Sequence, residues 1–406
     1  MEIDLGPEIA QFRAELRDWI AAEAPAELAG LADWNMHVAT GGNLSAGLQA
    51  ATDHPAYREW EAKLAARRLI CAGWPQEYGG GGLDPVRQTV VKQELFRAGL
   101  PAVTRGGGES LVGPSVIAHG TPEQKAYFLP KILSGEHRYC QGFSEPDAGS
   151  DLAGLQTRGV IDGDEIVITG QKVWTSGAAR ANMIFILVRT DPTVPKHNGI
   201  SYVLLDFTGP GVEYRPIKQM TGAAEFAEDF FDGARAPLFN VIGGLNNGWR
   251  VAMTTLGYER GSRATTGYLG FEREFWALAE TARKTGRSAD PLVRQQLAWA
   301  YTQVQLMKFS GLRTLAQLAA GRAPGPEASI DKLFWSEYFK RLGEVAAGIE
   351  GTQTLIRPEG GGYPLTFWQD NFLAGRPASI YAGSNEIQRN IIGERVLGLP
   401  KEPRVS

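Results

Sequence analysis

A carboxylate at the end of an apolar helical stripe is a candidate proton acceptor, and Glu259 occupies such a place. Trp249, Ala252, Leu256 and Glu259 follow at steps of three, four and three, so they share one face of a helix. A carboxyl group in that setting is partly desolvated, which raises its pKa and makes it a stronger base. The residues alone leave a second reading open, in which Glu259 pairs with Arg263 one turn later on the helix surface. Two further segments, Cys140–Asp151 and Gly170–Ser176, gather hydroxyls, glycines and a tryptophan. Read by itself, the second is a β-turn with a buried Trp174. The glycine run Gly79–Gly82 follows a proline loop rather than a strand, so it is no dinucleotide fingerprint and argues against a nicotinamide cofactor.

Three zones must position these residues. From Glu8 to about Leu133 the pattern is helical, with Ile9, Phe12, Leu16, Trp19 and Ile20 recurring near the helical period. Turn-rich breaks fall at Trp74–Gly82 and Arg105–Gly108, and Val86–Leu95 between them reads as a helix. Thr121-Pro122-Glu123-Gln124 opens another, with threonine as cap, proline in the first turn and an acid near the positive end of the dipole. From about Tyr139 to Asn240 the period shortens. Asp164–Gly170, Met183–Val188, Ile200–Phe207 and Glu228–Phe231 are β-rich runs separated by turn residues. Long helical segments return at Trp249–Ala282, Pro291–Ala320 and Ser329–Ile349. A loop rich in Gly and Pro follows at Arg357–Pro364, then a last helix around Ile387–Val396. The predicted class is α+β, with a helical domain at 1–136, a β domain at 137–242 and a helical bundle at 243–406.

Composition narrows the function classes. The 406 residues are 43% hydrophobic and 21% charged, which fits globular domains and not a disordered chain. A net charge of -4 points to neither nucleic acid nor an anionic membrane as partner. Charges at Glu2, Asp4, Glu8, Arg13, Glu15, Arg17 and Asp18 interrupt the apolar core a signal peptide needs, and no apolar run is long enough to span a bilayer. Cys71 and Cys140 cannot form a disulfide framework, and a cytoplasmic protein is expected. Five histidines (His37, His54, His119, His137 and His197) lack zinc spacing, so no metal is expected.

Four segments, in order along nearly the whole chain, resemble the signatures of acyl-CoA dehydrogenases. They are Gly73-Trp74-Pro75-Gln76-Glu77-Tyr78-Gly79-Gly80, Cys140–Asp151 (CQGFSEPDAGSD), Gly170-Gln171-Lys172-Val173-Trp174-Thr175-Ser176, and Tyr381-Ala382-Gly383-Ser384-Asn385-Glu386-Ile387-Gln388-Arg389. The resemblance implies that family's fold: an N-terminal helical domain, a central β-barrel-like domain and a C-terminal helical bundle. It implies FAD as cofactor, α,β-dehydrogenation of an acyl-CoA, and electron-transfer flavoprotein as acceptor. Residues implied at the cofactor are Gln141, Gly142, Phe143, Ser144, Gly149, Ser150, Trp174, Thr175 and Ser176, with Arg283, Ser384 and Glu386 reaching it across a subunit interface. Ser150, Tyr258, Arg260 and Ala382 are implied at the substrate, Arg260 being either a contact for the coenzyme-A end or a structural cation.

One departure from the family pattern concerns the base. Many members place a glutamate between the tyrosine and glycine of the last signature, where this chain has Ala382. Isovaleryl-type and long-chain-type members carry the base on the first long helix of the bundle, and the segment Gly248–Arg260 is similar to that helix, with Glu259 at the base position. The resemblance thus assigns α-proton abstraction to Glu259 and hydride transfer to the flavin N5. The subunit-crossing half of the pattern thins. Arg283-Lys284-Thr285-Gly286 lacks the family's phenylalanine, and no Gly-Gly-x-Gly turn is recognisable around Gly348–Ile356. Such thinning resembles subunits of heteromeric dehydrogenases acting on bulky, steroid-derived thioesters. Ala382, Gly257, Gly261, Gly267 and Gly270 would leave room for a wide acyl group, although helix glycines also mark close packing. A homo-oligomer or a hetero-oligomer with a related chain is expected. Two alternatives stand beside the dehydrogenase: an acyl-CoA oxidase, and a partner subunit that completes a sister chain's FAD site.

Overall fold

The computed structural model describes residues 5–29, 54–100, 103–322, 325–360 and 365–401, without the side chains of residues 259–264. The N-terminal part is helical: α1 (Pro7–Glu23), α2 (Ala26–Ala29), α3 (Pro55–Ala66), α4 (Pro85–Arg97), α5 (Gly113–His119) and α6 (Pro122–Ser134). Caps written in the sequence start these helices. Asp84 accepts from the N–H groups of Val86 and Arg87 at the head of α4. Thr121 and Gln124 form a reciprocal capping box on α6, which ends at Gly135 with φ 81°. The Gln124 amide also donates to the carbonyls of Phe239 (2.6 Å) and Val241 (3.1 Å), so this cap fastens α6 to the end of the sheet.

α1 and α4 are joined through one buried carboxylate. Arg13, Arg17 and Arg97 all bond Glu94 at 2.6–3.0 Å. Burial by itself would raise the Glu94 carboxyl, but the hydrogen bonds from Arg17 and Arg13, with Arg97 beside them, hold it below the usual range.

The central part is one eight-stranded sheet in the order β6-β7-β3-β2-β4-β5-β8, with β1 pairing parallel to β4. Its strands are β1 (Tyr139–Gly142), β2 (Arg158–Asp162), β3 (Glu165–Ser176), β4 (Met183–Arg189), β5 (Ile200–Asp206), β6 (Val212–Ile217), β7 (Phe226–Pro237) and β8 (Val241–Ile242). Two predicted strands are longer than expected. β3 runs on past Gly170 to Ser176, and β7 runs from Phe226 to Pro237, because the two form a single long antiparallel ladder. β6, unmarked in the sequence reading, is an exposed edge strand whose Pro216 is tolerated there.

In the C-terminal part the predicted helix Trp249–Ala282 is two helices, α7 (Gly248–Ala264) and α8 (Tyr268–Lys284). Thr265-Thr266-Gly267 separates them: three weak helix formers, with the Thr265 hydroxyl turned inward to meet Thr89 at 3.3 Å. α9 (Pro291–Ala319), α10 (Ala328–Glu350), α11 (Phe367–Ala374) and α12 (Asn385–Ile391) follow. α7 begins hard against the sheet, since a Cβ at Gly248 would lie 2.4 Å from the Ser201–Tyr202 backbone. It then runs beside α5, with Ser115 Oγ 2.7 Å from Thr255 Oγ1 and His119 Nε2 2.8 Å from Thr254 Oγ1. No helix among the described residues is long and apolar enough to cross a membrane.

Glu94→Gln should lower the unfolding free energy at pH 7 by about 2 kcal/mol, the scale of charge-assisted hydrogen bonds. Because the folded-state pKa of Glu94 lies below its unfolded value, its contribution is present above the ordinary carboxylate range and fades as pH falls through the folded value. Urea unfolding of both proteins from pH 7 downward checks this: the gap between them should narrow as the pH drops.

Candidate active site

β1 delivers the segment Phe143–Asp151 onto β3. Gly142 sits so close to β4 that a Cβ would meet Ile184 at 2.7 Å, and the Phe143 ring packs edge-on to Phe185 and Tyr202 in the core. The side chain of Phe143 is therefore a core element, and only its backbone remains for the cofactor role expected of it. Gln141 pairs with Phe185 in the β1–β4 ladder. The chain then turns, and the Val173 N–H donates to the Ser144 carbonyl at 3.0 Å.

A fully buried ammonium locks this junction. Lys172 Nζ donates to the Phe143 carbonyl at 3.1 Å and to Glu145 at 2.8 Å. Glu145 also accepts from the N–H groups of Gln156 (2.6 Å) and Thr157 (2.9 Å). Burial pushes Lys172 down to about 8, against the opposing pull of Glu145. Burial would raise Glu145, but the Lys172 charge and these hydrogen bonds leave it below its ordinary value. Sequence reasoning quoted both residues inside signatures and assigned neither a role. Their complementary charges on adjacent signatures were the available signal.

At the end of β3 the ladder shifts register between Val173 and Thr175, and Trp174 takes a left-handed φ of 64°. A non-glycine residue there costs on the order of 1 kcal/mol or more and tends to mark functional sites. The bulge alters which side chains face outward. Trp174 is 59% exposed, against the turn-with-buried-tryptophan reading, and its ring lies edge-on to Phe226. Ser176 is exposed as well, whereas Thr175 is buried with its hydroxyl donated to the Asp229 carboxylate. The expected cofactor contact of Thr175 can thus come only from its backbone. Burial raises Asp229 to about 6. The hydroxyls of Ser144, Ser150 and Ser176 make no side-chain hydrogen bond among the described residues, and a Cβ at Gly149 would find no protein atom within 4 Å. A flat, partly uncovered indole, free hydroxyls and an open glycine backbone suit the ring and polar edge of a flavin.

On α7, Ala252 is buried while Trp249 and Leu256 pack against the same core, and His197 sits edge-on to Trp249. The apolar stripe read from spacing is present. Ser115 opposite Thr255 and His119 opposite Thr254 place α7 beside α5, and α7 also packs against the turn Gly108–Val112. The side chains of Glu259, Arg260 and Arg263 lie outside the described residues, and Tyr258 is exposed.

The C-terminal turn is built separately. Ala382 is exposed, holds φ 55°, and its N–H donates to no acceptor among the described residues. The Gln388 amide grips the carbonyls of Ala382 and Gly383, each at 3.2 Å. Ser384 caps α12. Buried Asn385 accepts from Lys332 (2.9 Å) and Ser336 (3.0 Å) of α10 and donates to Glu337 (2.6 Å). Glu386 pairs with Arg389, and Arg283 with Glu280. Within one chain these contacts do not bring Arg283, Ser384 or Glu386 to the Ser144–Trp174 surface. Among the described residues no cluster of His, Cys, Asp or Glu could hold a metal ion.

Comparison with known proteins gives consistent matches along the chain. The models for the N-terminal, middle and C-terminal domains of acyl-CoA dehydrogenase match residues 44–136, 140–232 and 246–397. The chain is 42% identical over 400 residues to acyl-CoA dehydrogenase IpdE1 of Mycobacterium tuberculosis, covering 98% of this chain and 99% of that protein. Among solved structures, the Tcur3481-Tcur3483 steroid ACAD superposes with a TM-score of 0.81 at 32% identity, covering 99% of this chain and 100% of the matched one. The ChsE4-ChsE5 complex from Mycobacterium tuberculosis matches with a TM-score of 0.78 at 30% identity and coverage of 99% and 100%.

Lys172→Met should cost about 3–5 kcal/mol of stability, because it leaves Glu145 as an unpaired buried charge. Adding Glu145→Met should recover part of that loss, which chemical denaturation of wild type, both single variants and the double variant will measure.

Proposed function

The chain belongs to the acyl-CoA dehydrogenase family of oxidoreductases, and from that premise we propose that it oxidises a coenzyme-A thioester across its α and β carbons with Glu259 as base. FAD, when bound, supplies the acceptor for the β-hydrogen as hydride. Ser144 and Ser176 offer hydroxyls to its polar edge, Trp174 covers part of its ring, and Gly149 and Ser150 leave backbone and hydroxyl open toward the substrate's coenzyme-A portion. Glu259 takes the α-proton. The N–H of Ala382, which has no acceptor among the described residues, polarises the thioester carbonyl and stabilises the negative charge that develops on it. The observation that carries the assignment is Ala382 itself: the C-terminal turn presents a backbone donor and no proton acceptor, so the base must come from elsewhere. The apolar stripe of α7, with Ala252 buried and Trp249 and Leu256 packed on the same core, runs toward position 259 along the helix.

Arg283, Ser384 and Glu386 reach the cofactor from a neighbouring subunit, either a second copy or a related chain. A heteromeric assembly is favoured by the likeness to a ChsE4-ChsE5 complex and to a Tcur3481-Tcur3483 steroid ACAD. The acyl group is accordingly bulky and steroid-derived, and electron-transfer flavoprotein would be the electron acceptor.

Glu259→Gln should keep FAD bound while slowing flavin reduction by acyl-CoA about 10²- to 10⁴-fold, the usual contribution of a positioned general base. Anaerobic stopped-flow at the flavin absorbance band measures it, and a near-normal rate would remove Glu259 from the mechanism.

A further inference from the structure

Two residues at the end of β3 compete for one interior place. Lys172 pairs with Asp229 and Val173 with Glu228 across the ladder to β7, so its regular continuation would set Trp174 opposite Ala227. Residues opposite one another in such a ladder share a face, and every second residue returns to it. Lys172, Asp229 and Ala227 are all buried on that face. Unbulged, β3 would therefore turn the Trp174 indole inward and Thr175 outward. The observed register shift sets Thr175 opposite Ala227 and Ser176 opposite Phe226, and leaves Trp174 outside the ladder and exposed. A slip of one residue thus decides which side chains reach the outer surface.

The bulge carries strain and has one visible restraint. Trp174 holds φ 64°, a conformation that bulges of this kind usually give to glycine. Against that, the fully buried Thr175 hydroxyl donates to Asp229 Oδ2. This bond belongs to the bulged register, because in the regular one Thr175 faces the other way.

Asp229 is otherwise poorly matched. Its Oδ1 has no hydrogen-bond partner among the described residues. The Lys172 ammonium, opposite it in the ladder, gives hydrogen bonds to Phe143 and Glu145. Burial pushes the Asp229 carboxyl up, and the Thr175 hydroxyl is the strongest influence drawing it back. A buried carboxylate with one oxygen unmatched gives up stability that an apolar residue of similar size would keep. Such a group marks a place where register matters more than stability.

We propose that Asp229 is a positioning residue for the cofactor: by accepting the Thr175 hydroxyl inside the sheet it selects the bulged register, which turns Trp174 and Ser176 outward to meet the flavin. It acts through Thr175 and requires an acceptor oxygen rather than a charge. This inference rests on the reading of the Ser144–Trp174 surface as the flavin site.

The test compares the full-length protein with Asp229→Asn, which keeps an acceptor oxygen, and with Thr175→Val/Asp229→Val, which replaces the bonded pair by two apolar residues. Titrating the flavin-free chain with FAD should give a Kd about tenfold or more weaker in the double variant, the weight of one buried hydrogen bond, and near wild type in Asp229→Asn. Urea unfolding should find the double variant as stable as wild type or more so, a combination that a merely structural pair would not give. Acrylamide quenching of the flavin-free chain follows the indole itself, with the Trp174 emission taken as the difference from the same protein carrying Trp174→Phe. That emission should be readily quenched in wild type and Asp229→Asn and shielded in the double variant. Unchanged FAD affinity or unchanged quenching in the double variant overturns the assignment. So does a loss of stability that accompanies the loss of affinity, or an Asp229→Asn variant as weak as the double one. A wild type that binds no FAD would instead remove the flavin reading, and the quenching would still decide for or against Asp229.

Discussion

The arrangement of the site depends on a buried ion pair between Lys172 and Glu145. Each signature segment supplies one charge, and each charge is completed by backbone groups of the other's neighbourhood: the Phe143 carbonyl on Lys172, the N–H groups of Gln156 and Thr157 on Glu145. Desolvating both charges is expensive, and the pair holds only because nearly every donor and acceptor is used. What the cost secures is position. With Lys172 pinned inside, the residues that follow it must leave the core, and β3 does so through the bulge that lifts Trp174 out and drops Thr175 onto Asp229.

From that junction the rest of the site follows in layers. The Ser144 carbonyl is tied to Val173, so the free hydroxyls of one segment and the exposed indole of the other share a surface. Gly248 lets α7 start against β5, and the Ser115–Thr255 contact fixes how far along α5 it lies. The C-terminal turn is held independently by Lys332, Ser336 and Glu337 around Asn385. The site is thus assembled from two rigid bodies of interactions, one in the sheet and one in the bundle.

Much of this was legible in the sequence, for reasons that differ by element. Local devices were readable: the Thr121–Gln124 box, the Pro-led helices and the change of period at Tyr139 all act within a few residues. The apolar stripe to Leu256 survived because helical spacing dictates a face without knowledge of neighbours. The break at Thr265–Gly267 was missed because the apolar pattern resumes on the far side of three weak helix formers, and the contact of Thr265 with Thr89 is tertiary. The short strands β1, β2 and β6 carry little pattern of their own and are defined by their partners. Residue types alone made Trp174 a buried tryptophan, and a bulge, invisible in those types, turns it outward.

The central claim is that this chain carries its own dehydrogenation chemistry although its C-terminal turn has no base. The most direct measurement is an anaerobic titration of the purified, FAD-loaded protein with short, branched, aromatic and steroidal acyl-CoAs, following the flavin absorbance. Bleaching by at least one bulky thioester at near-stoichiometric amounts is the predicted result. A chain that holds FAD but is bleached by no member of the series would contradict the account.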